Sequence, residues 1–198
     1  MKKLFTFLIA FVVSANFARA TEGMWIPLFL NEMIYSDMKA NGLKLSADDI
    51  YNINKACIKD AVCHFDFGCT GELISNNGLL ITNHHCGFDN IQFHSTVEKN
   101  YIQDGFWAMK ASEELPNPGL SVSFVVRIED VTQKVLEGLP KNVDEATRSK
   151  LVMEKINQIT KKAVENTHYE AFIRNFFYGN EYYMFVMETY TDIRLVGA

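Results

Sequence analysis

The chain has 198 residues, 48% of them hydrophobic and 22% charged, and carries a formal net charge of −5. This length supports one domain with a substantial core and is short for two. The acidic balance argues against nucleic acid and anionic lipid as partners, and the lack of glycine-rich phosphate loops and dinucleotide fingerprints implies no nucleotide cofactor. Composition alone identifies no substrate.

The first 20 residues have the three regions of a secretory signal peptide. Two lysines precede an apolar run at 4–13, and residues 18–20 form a small-x-small cleavage site. The run is too short for a membrane anchor, and no later segment approaches the roughly 20 apolar residues of a transmembrane helix. We therefore predict export and removal of residues 1–20. The mature segment, 21–198, would carry a charge of −8, because three basic residues leave with the leader.

Export decides how the cysteines are interpreted. An oxidising compartment turns thiol pairs into disulfides, whereas the same pattern in a reducing compartment favours metal binding or catalysis. The chain contains four cysteines: Cys57, Cys63, Cys69 and Cys86. Four cysteines allow three pairings, and their spacing leaves the choice open.

The mature segment begins with a short predicted helix at 24–39, in which apolar residues recur at roughly helical spacing and which an Asn-Gly pair ends. A cap and one further helical turn follow at 45–51. Three strand-like runs come next, at 61–65, 70–75 and 79–82. The turn at 75–78 contains Asn-Gly, which accepts the positive φ angles of a tight hairpin. We interpret these pieces as the opening of a β-barrel.

The pattern of residues 90–101 is ambiguous. An alternating strand at 120–130 follows the proline-rich turn at 116–119. Residues 144–166 predict a surface amphipathic helix whose apolar stripe is Leu151, Val152, Ile156, Ile159, Ala163 and Val164. Strands resume at 172–178, 182–190 and 193–196. The predicted fold class is mainly β with helices, as a barrel that is incomplete at its carboxyl end and leaves an edge unpaired.

The most informative stretch is 68–86, which puts two histidines and a cysteine directly after a strand, with a second cysteine upstream. A histidine in this position fits the general base of a serine peptidase, which needs an imidazole that is held rigidly. One ring nitrogen must reach a serine hydroxyl, and a carboxylate must orient the other. A strand with a disulfide beside it supplies that rigidity.

This stretch resembles the dipeptidyl peptidase 7 and dipeptidyl peptidase 11 family of bacterial serine peptidases, which belongs to the chymotrypsin clan. Further blocks resemble the family in the same order: 21–25, 91–101, 104–109, 113–116 and 189–198. The resemblance implies a double β-barrel peptidase domain with a helical domain beside it and an active site between the barrels. It also implies peptide substrates with a free amino terminus, a homodimer, and a periplasmic or extracellular location in a Gram-negative bacterium.

The resemblance assigns the general base to His85, because chymotrypsin-like sequences place this residue directly before the cysteine. His84 then faces the other side of the strand and is interpreted as structural. The resemblance also implies a disulfide between Cys69 and Cys86 that would hold the base of His85. Cys57 and Cys63 remain as a second, local pair.

The alternative interpretation of this stretch is a metal site made of His84, His85, Cys86 and one further cysteine. Zinc ligands must converge on one point. Neighbouring strand residues point in opposite directions, however, and export would oxidise the thiols. We therefore predict neither a metal ion nor another cofactor.

Other histidines and the tryptophans receive ordinary structural roles. His94 and His168 are isolated and are expected in core or surface positions. Trp25 and Trp107 are expected to pack against the barrel, because aromatic side chains usually fill cores and interfaces.

In the family, the triad aspartate and the serine lie beyond residue 198, and no Gly-x-Ser-Gly segment occurs in this chain. Four carboxylates are therefore not assigned to orient His85: Asp89, Asp104, Asp130 and Asp192. Capping or turn duties are expected for Asp130, which closes a strand, and for Asp89, which is expected in the loop after the motif. We interpret 21–198 as the amino-terminal part of a serine-type dipeptidyl peptidase, inactive alone, because a lone histidine performs no acyl transfer. The alternative hypothesis is a noncatalytic secreted binding module or an inert remnant.

Overall fold

The computed structural model describes residues 25–66, 68–140 and 142–198. The predicted signal peptide and the first residues after it lie outside these ranges. The described residues fall in two compact units, the first ending at Gly42 and the second beginning at Leu43.

In the first unit, the predicted helix is split into short pieces. A 3-10 turn at Pro27–Phe29 precedes α1, Leu30–Met33, and α2, Tyr35–Ala40. The break lies at Ile34, whose φ of −136° is not helical. The predicted stop is confirmed, because α2 ends directly before the Asn-Gly pair and Gly42 has φ +99°.

The second unit contains the sheet and the longer helices. Its helices are α3 (Ala47–Ile50), α4 (His84–His94), α5 (Tyr101–Asp104), α6 (Thr132–Leu136) and α7 (Glu145–Ala163). Its strands are β1 (Val62–Phe65), β2 (Cys69–Leu73), β3 (Leu80–Thr82), β4 (Leu115–Pro116), β5 (Val122–Asp130), β6 (Glu170–Phe176), β7 (Glu181–Tyr190) and β8 (Arg194–Leu195). Further 3-10 turns lie at Ile58–Ala61, Ala111–Glu113 and Phe177–Gly179. The strands predicted from the sequence therefore form, with ends shifted by one or two residues.

One antiparallel sheet has six strands in the order β3-β2-β1-β5-β7-β6. The strands β4 and β8 form a separate two-stranded ribbon, and a bridge between Trp107 and Gly197 lies outside the named strands. Within the described residues β3 and β6 are unpaired edges of the six-stranded sheet, which is open. The mainly β fold class is confirmed, and an open sheet is consistent with a partial barrel.

The larger apolar cluster joins the sheet to α6 and α7. Its buried members are Val131, Val135, Tyr182, Met184 and Val186. Most of the stripe predicted on α7 packs against them: Val152, Ile156, Ile159, Ala163 and Val164. The helix begins after Asp144, whose Oδ1 accepts a hydrogen bond from Thr147 N at 2.9 Å. The predicted amphipathic helix is confirmed.

Truncation of Met184 tests this cluster. Met184 lies in the interior strand β7 and is 2% exposed, whereas Met153 on α7 is 57% exposed. We expect Met184→Ala to lower the free energy of unfolding by about 2–5 kcal/mol, because it removes buried methylene groups and leaves a cavity. Met153→Ala should change it by less than about 0.5 kcal/mol. Urea denaturation followed by circular dichroism measures both, and equal effects would contradict the assignment of the core.

A second apolar cluster adjoins the β2–β3 hairpin and consists of Cys63, Phe65, Leu120 and Val122. Cys69 and Cys86 pack against it. The strand β2 passes this cluster at Gly71, where a Cβ atom would lie 2.8 Å from Leu80 Cδ2. Glycine therefore allows the close approach of β2 to the cluster. Through Cys86, the first turn of α4 is in contact with the interior of the unit.

Candidate functional site

The β2–β3 hairpin leads the chain to the predicted general base. In its turn, Ile74 N donates to Leu79 O at 2.9 Å, and Leu79 N donates to Ser75 Oγ at 3.0 Å. Gly78 has φ +83°, a conformation that glycine adopts without steric cost. The predicted hairpin is confirmed. It places the end of β3 two residues before the histidine pair.

The prediction that the histidines lie in a strand is wrong. The strand β3 ends at Thr82, Asn83 is extended, and α4 begins at His84. Cys86 N donates to Asn83 O at 2.9 Å, which closes the first turn. His84 and His85 are therefore about 100° apart around a helix and not on opposite faces of a strand. The His84 ring makes an edge contact with Phe88, with 5.8 Å between ring centroids.

A disulfide fastens this first helical turn to the sheet. Cys69 in β2 is bonded to Cys86 in α4, with 6.1 Å between their Cα atoms. This is the pairing that the family resemblance implied, although the bond joins a strand to a helix and not two strands. The covalent tie lies directly next to His85 in the sequence.

The second predicted pair does not form, since Cys57 and Cys63 are both free. Cys63 is buried in the cluster beside the hairpin, where its Sγ would lie 3.1 Å from a Cβ atom on Gly71. Cys57 Sγ accepts a hydrogen bond from Asn52 N at 3.1 Å. The two thiols thus occupy different environments, one inside a core cluster and one in a polar turn.

His85 is exposed in the first turn of α4. One of its ring nitrogens lies within 4.8 Å of both sulfur atoms of the disulfide. In the described part of the chain, neither ring nitrogen has a hydrogen-bond partner. An imidazole in this state can accept a proton on one nitrogen while a carboxylate orients the other.

The same three residues satisfy the distance requirement of a metal site, since the candidate ligand atoms of Cys69, His85 and Cys86 lie within 4.8 Å of one another. Thiolate sulfur is the form that binds metal, and both sulfurs are consumed in the disulfide. The group therefore offers one imidazole and no thiolate.

The four aspartates that were not assigned to orient His85 lie in different surroundings. Asp130 Oδ1 accepts a hydrogen bond from Thr132 N at 2.9 Å, which is a turn role. Asp192 Oδ2 pairs with Arg194 Nη2 at 2.8 Å, and this hydrogen bond lowers the pKa of the carboxyl. Asp104 is exposed at the end of α5. The prediction that Asp89 lies in a loop is wrong, because this residue is exposed within α4.

The prediction that the Trp107 side chain packs against the barrel is wrong. Its side chain is 66% exposed, and Trp25 is also exposed. One face of the Trp107 ring lies against the backbone of Gly197, where a Cβ atom would approach the ring to 2.5 Å. The two residues are bridge partners, so the contact follows from backbone pairing between distant segments.

An open concavity of about 1680 Å³ lies beside the first turn of α4. Three segments contribute to its wall: the β2–β3 hairpin, one side of α4 and residues 192–198. His84 and Asn90 are among the α4 residues in this wall, and Trp107 lines it as well. Its size is sufficient for a peptide or for another part of a larger protein. No helix within the described ranges is long and apolar enough to cross a membrane.

Residues 20–198 match the Peptidase S46 family. The chain belongs to this family. Among its S46 relatives, the Asp/Glu-specific dipeptidyl-peptidase of Flavobacterium psychrophilum is 47% identical over 198 residues, which cover 100% of this chain and 28% of that protein. Dipeptidyl-peptidase 7 of Capnocytophaga gingivalis is 41% identical over 200 residues, which cover 100% of this chain and 28% of that protein.

Solved S46 structures share the fold. The crystal structure of Porphyromonas endodontalis DPP11 in complex with substrate superimposes with a TM-score of 0.75 and 46% identity, over 90% of this chain and 27% of that one. The complex of the same protein with the dipeptide Arg-Glu gives a TM-score of 0.74 and 44% identity, over 90% and 27%. This S46 chain therefore spans about 28% of the length of the curated relatives that it matches.

Proposed function

We propose that residues 21–198 are the amino-terminal part of an exported serine-type dipeptidyl peptidase that releases dipeptides from the amino end of peptides. Three findings support this proposal. The S46 match spans residues 20–198, the relatives above are named as dipeptidyl-peptidases, and each is several times longer than this chain. The signal-peptide pattern of residues 1–20 supports export to the periplasm or the cell exterior.

The observation that carries the catalytic proposal is the placement of His85. It is exposed in the first turn of α4, its ring nitrogens are free within the described residues, and its neighbour Cys86 is bonded to β2. In the proposed mechanism His85 takes the proton of a serine hydroxyl while the oxygen attacks the scissile carbonyl carbon. It then returns that proton to the leaving amine, and water later releases the acyl group by the same route.

A longer polypeptide would supply the remaining groups. We place the serine nucleophile and the aspartate that orients His85 beyond residue 198, together with the groups that hold the free amino terminus of the substrate. The chain of 198 residues alone is therefore expected to hydrolyse no dipeptidyl substrate. We also propose that the longer protein acts as a homodimer.

The experiment is a dipeptide-release assay on the longer polypeptide encoded by the source DNA. Relatives named Asp/Glu-specific and relatives named dipeptidyl-peptidase 7 have similar identities to this chain, 47% and 41%, so the assay uses substrates with an acidic and with a hydrophobic second residue. We expect release from one or both, no release when the amino terminus is acetylated, and inactivation by a serine-directed phosphonate. A stop codon directly after residue 198, or a longer protein that neither releases dipeptides nor reacts with the phosphonate, would leave the binding-module hypothesis.

A further inference from the structure

The helix that carries His85 has little apolar anchoring. Of the 11 residues of α4, Ile91 is the buried one. Phe93 is 70% exposed, and Phe88 is 37% exposed with its ring against His84. The apolar contacts that anchor α4 are few: Ile91 in its second half and Cys86 in its first turn, while α5 lies beside it. The direction of the His85 side chain therefore depends in part on ties at the two ends of α4.

The first tie is the disulfide at the amino-terminal end. Cys86 lies in the first turn of α4 and is bonded to Cys69 in β2. This bond fixes the position of the first turn relative to the sheet. It does not fix the direction of the helix axis, because the chain can pivot about one covalent attachment.

The second tie lies at the other end of the helix. His94 is the last residue of α4, and its Nε2 is 3.0 Å from Asn117 Oδ1, a distance at which the N–H donates to the amide oxygen. Asn117 is 5% exposed and is the buried polar residue found in the described ranges. A buried amide oxygen requires a hydrogen-bond partner, so the contact is costly to lose.

Asn117 is itself held by the backbone on both sides. Its N donates to Ile193 O at 2.9 Å, and its O accepts a hydrogen bond from Leu120 N at 3.1 Å. The flanking strand β4 pairs with β8. The backbone of Asn117 is therefore held in place, and its side-chain amide gives the carboxyl end of α4 a fixed attachment.

We propose that His94 is a positioning residue for His85 and that its hydrogen bond to Asn117 sets the direction of α4. The inference rests on the proposed role of His85 as general base. Together with the disulfide, the bond holds the helix at Cys86 and at His94, which are roughly 12 Å apart along its axis at 1.5 Å per residue. Displacement of a catalytic group by about 1 Å can cost about 100-fold in rate. His94 touches neither the proposed substrate nor the reacting atoms, and it acts through the helix.

The test uses the longer peptidase and the variants His94→Ala and His94→Gln. Activity is divided by the number of active sites, which are titrated to completion with the serine-directed phosphonate so that unfolded protein does not count. We expect His94→Ala to lower kcat about 10-fold or more with less than about a twofold change in KM, because the base and not substrate binding is disturbed. In His94→Gln the side-chain amide can still donate to Asn117, and kcat should recover to within about threefold of wild type.

Two controls separate this role from a general effect on folding. His168→Ala removes another histidine contact, with Glu188 at 2.8 Å, away from α4, and should leave kcat within about twofold. In the double variant of His85→Ala and His94→Ala, the residual rate should equal that of His85→Ala alone, because His94 acts through His85. The inference is overturned if His94→Ala keeps kcat within twofold of wild type per active site, or if alanine and glutamine have the same effect. Activity of His85→Ala would contradict the proposed role of His85 as general base. Wild-type kcat of His94→Ala with an inactive His85→Ala would contradict only the positioning role of His94.

Discussion

The His85→Ala variant of the longer peptidase should lose at least about 10⁴-fold in kcat with acidic or hydrophobic dipeptidyl substrates. In the proposed mechanism no other group deprotonates the serine, and removal of one member of a catalytic triad typically costs about 10⁴-fold to 10⁶-fold. The side chain is exposed, and within the described residues it has no hydrogen bond to lose, so stability should change little. The melting temperature is measured in parallel.

His84→Ala is the matched control for this variant. His84 is the neighbouring residue, is exposed in the same helical turn and contacts Phe88 at the helix surface. Its removal should change kcat by no more than about threefold, because His84 lines the concavity beside α4 but transfers no proton in the proposed mechanism. Near wild-type turnover of His85→Ala would show that the base is assigned wrongly. A large loss in His84→Ala together with an active His85→Ala would transfer the role to His84.

The second large effect is expected from removal of the disulfide by the double substitution Cys69→Ala and Cys86→Ala. The bond closes a loop with a sequence separation of 17, for which the loop-entropy model gives about 3 kcal/mol of stabilisation. Both residues also pack against the cluster beside the hairpin, so their truncation adds a packing cost. We expect a lower melting temperature and, at a temperature where the protein remains folded, a lower kcat, because the first turn of α4 is no longer attached to β2.

The control for the disulfide variant is Cys57→Ser. Cys57 is free, and its sulfur accepts a hydrogen bond from Asn52 N that a serine hydroxyl can replace. This substitution should leave the melting temperature and kcat close to wild type. Equal losses in the control and in the double variant would mean that the bond between Cys69 and Cys86 has no special part in holding the site.

The sequence predicted correctly those elements that a short local pattern determines. The Asn-Gly turn specifies the β2–β3 hairpin because glycine adopts φ +83° at position 78. The stripe of α7 specifies a one-sided helix because its apolar residues face a core at helical spacing. In both cases the structure repeats what a short window of sequence dictates.

The start of α4 was not predictable in this way. The helix has one buried residue, so its sequence contains no apolar period, and it includes a histidine pair and a glycine that favour helix weakly. Its ends are fixed by residues that are distant in sequence, Cys69 and Asn117. The exposure of Trp107 has a similar origin, since its partner Gly197 is brought to it by long-range backbone pairing. The candidate base could be named from its motif, but its setting depends on tertiary contacts.

The buried free thiol on β1 has a consequence for how the correct disulfide is kept. Cys63 lies opposite Gly71, on the strand next to the one that carries Cys69, and both cysteines of the disulfide pack against the cluster that contains Cys63. Exchange requires the thiolate as the attacking species. Burial raises the pKa of the Cys63 thiol, which lowers the thiolate fraction further. Burial of the Cys63 thiol in the core therefore disfavours its exchange with the disulfide beside His85.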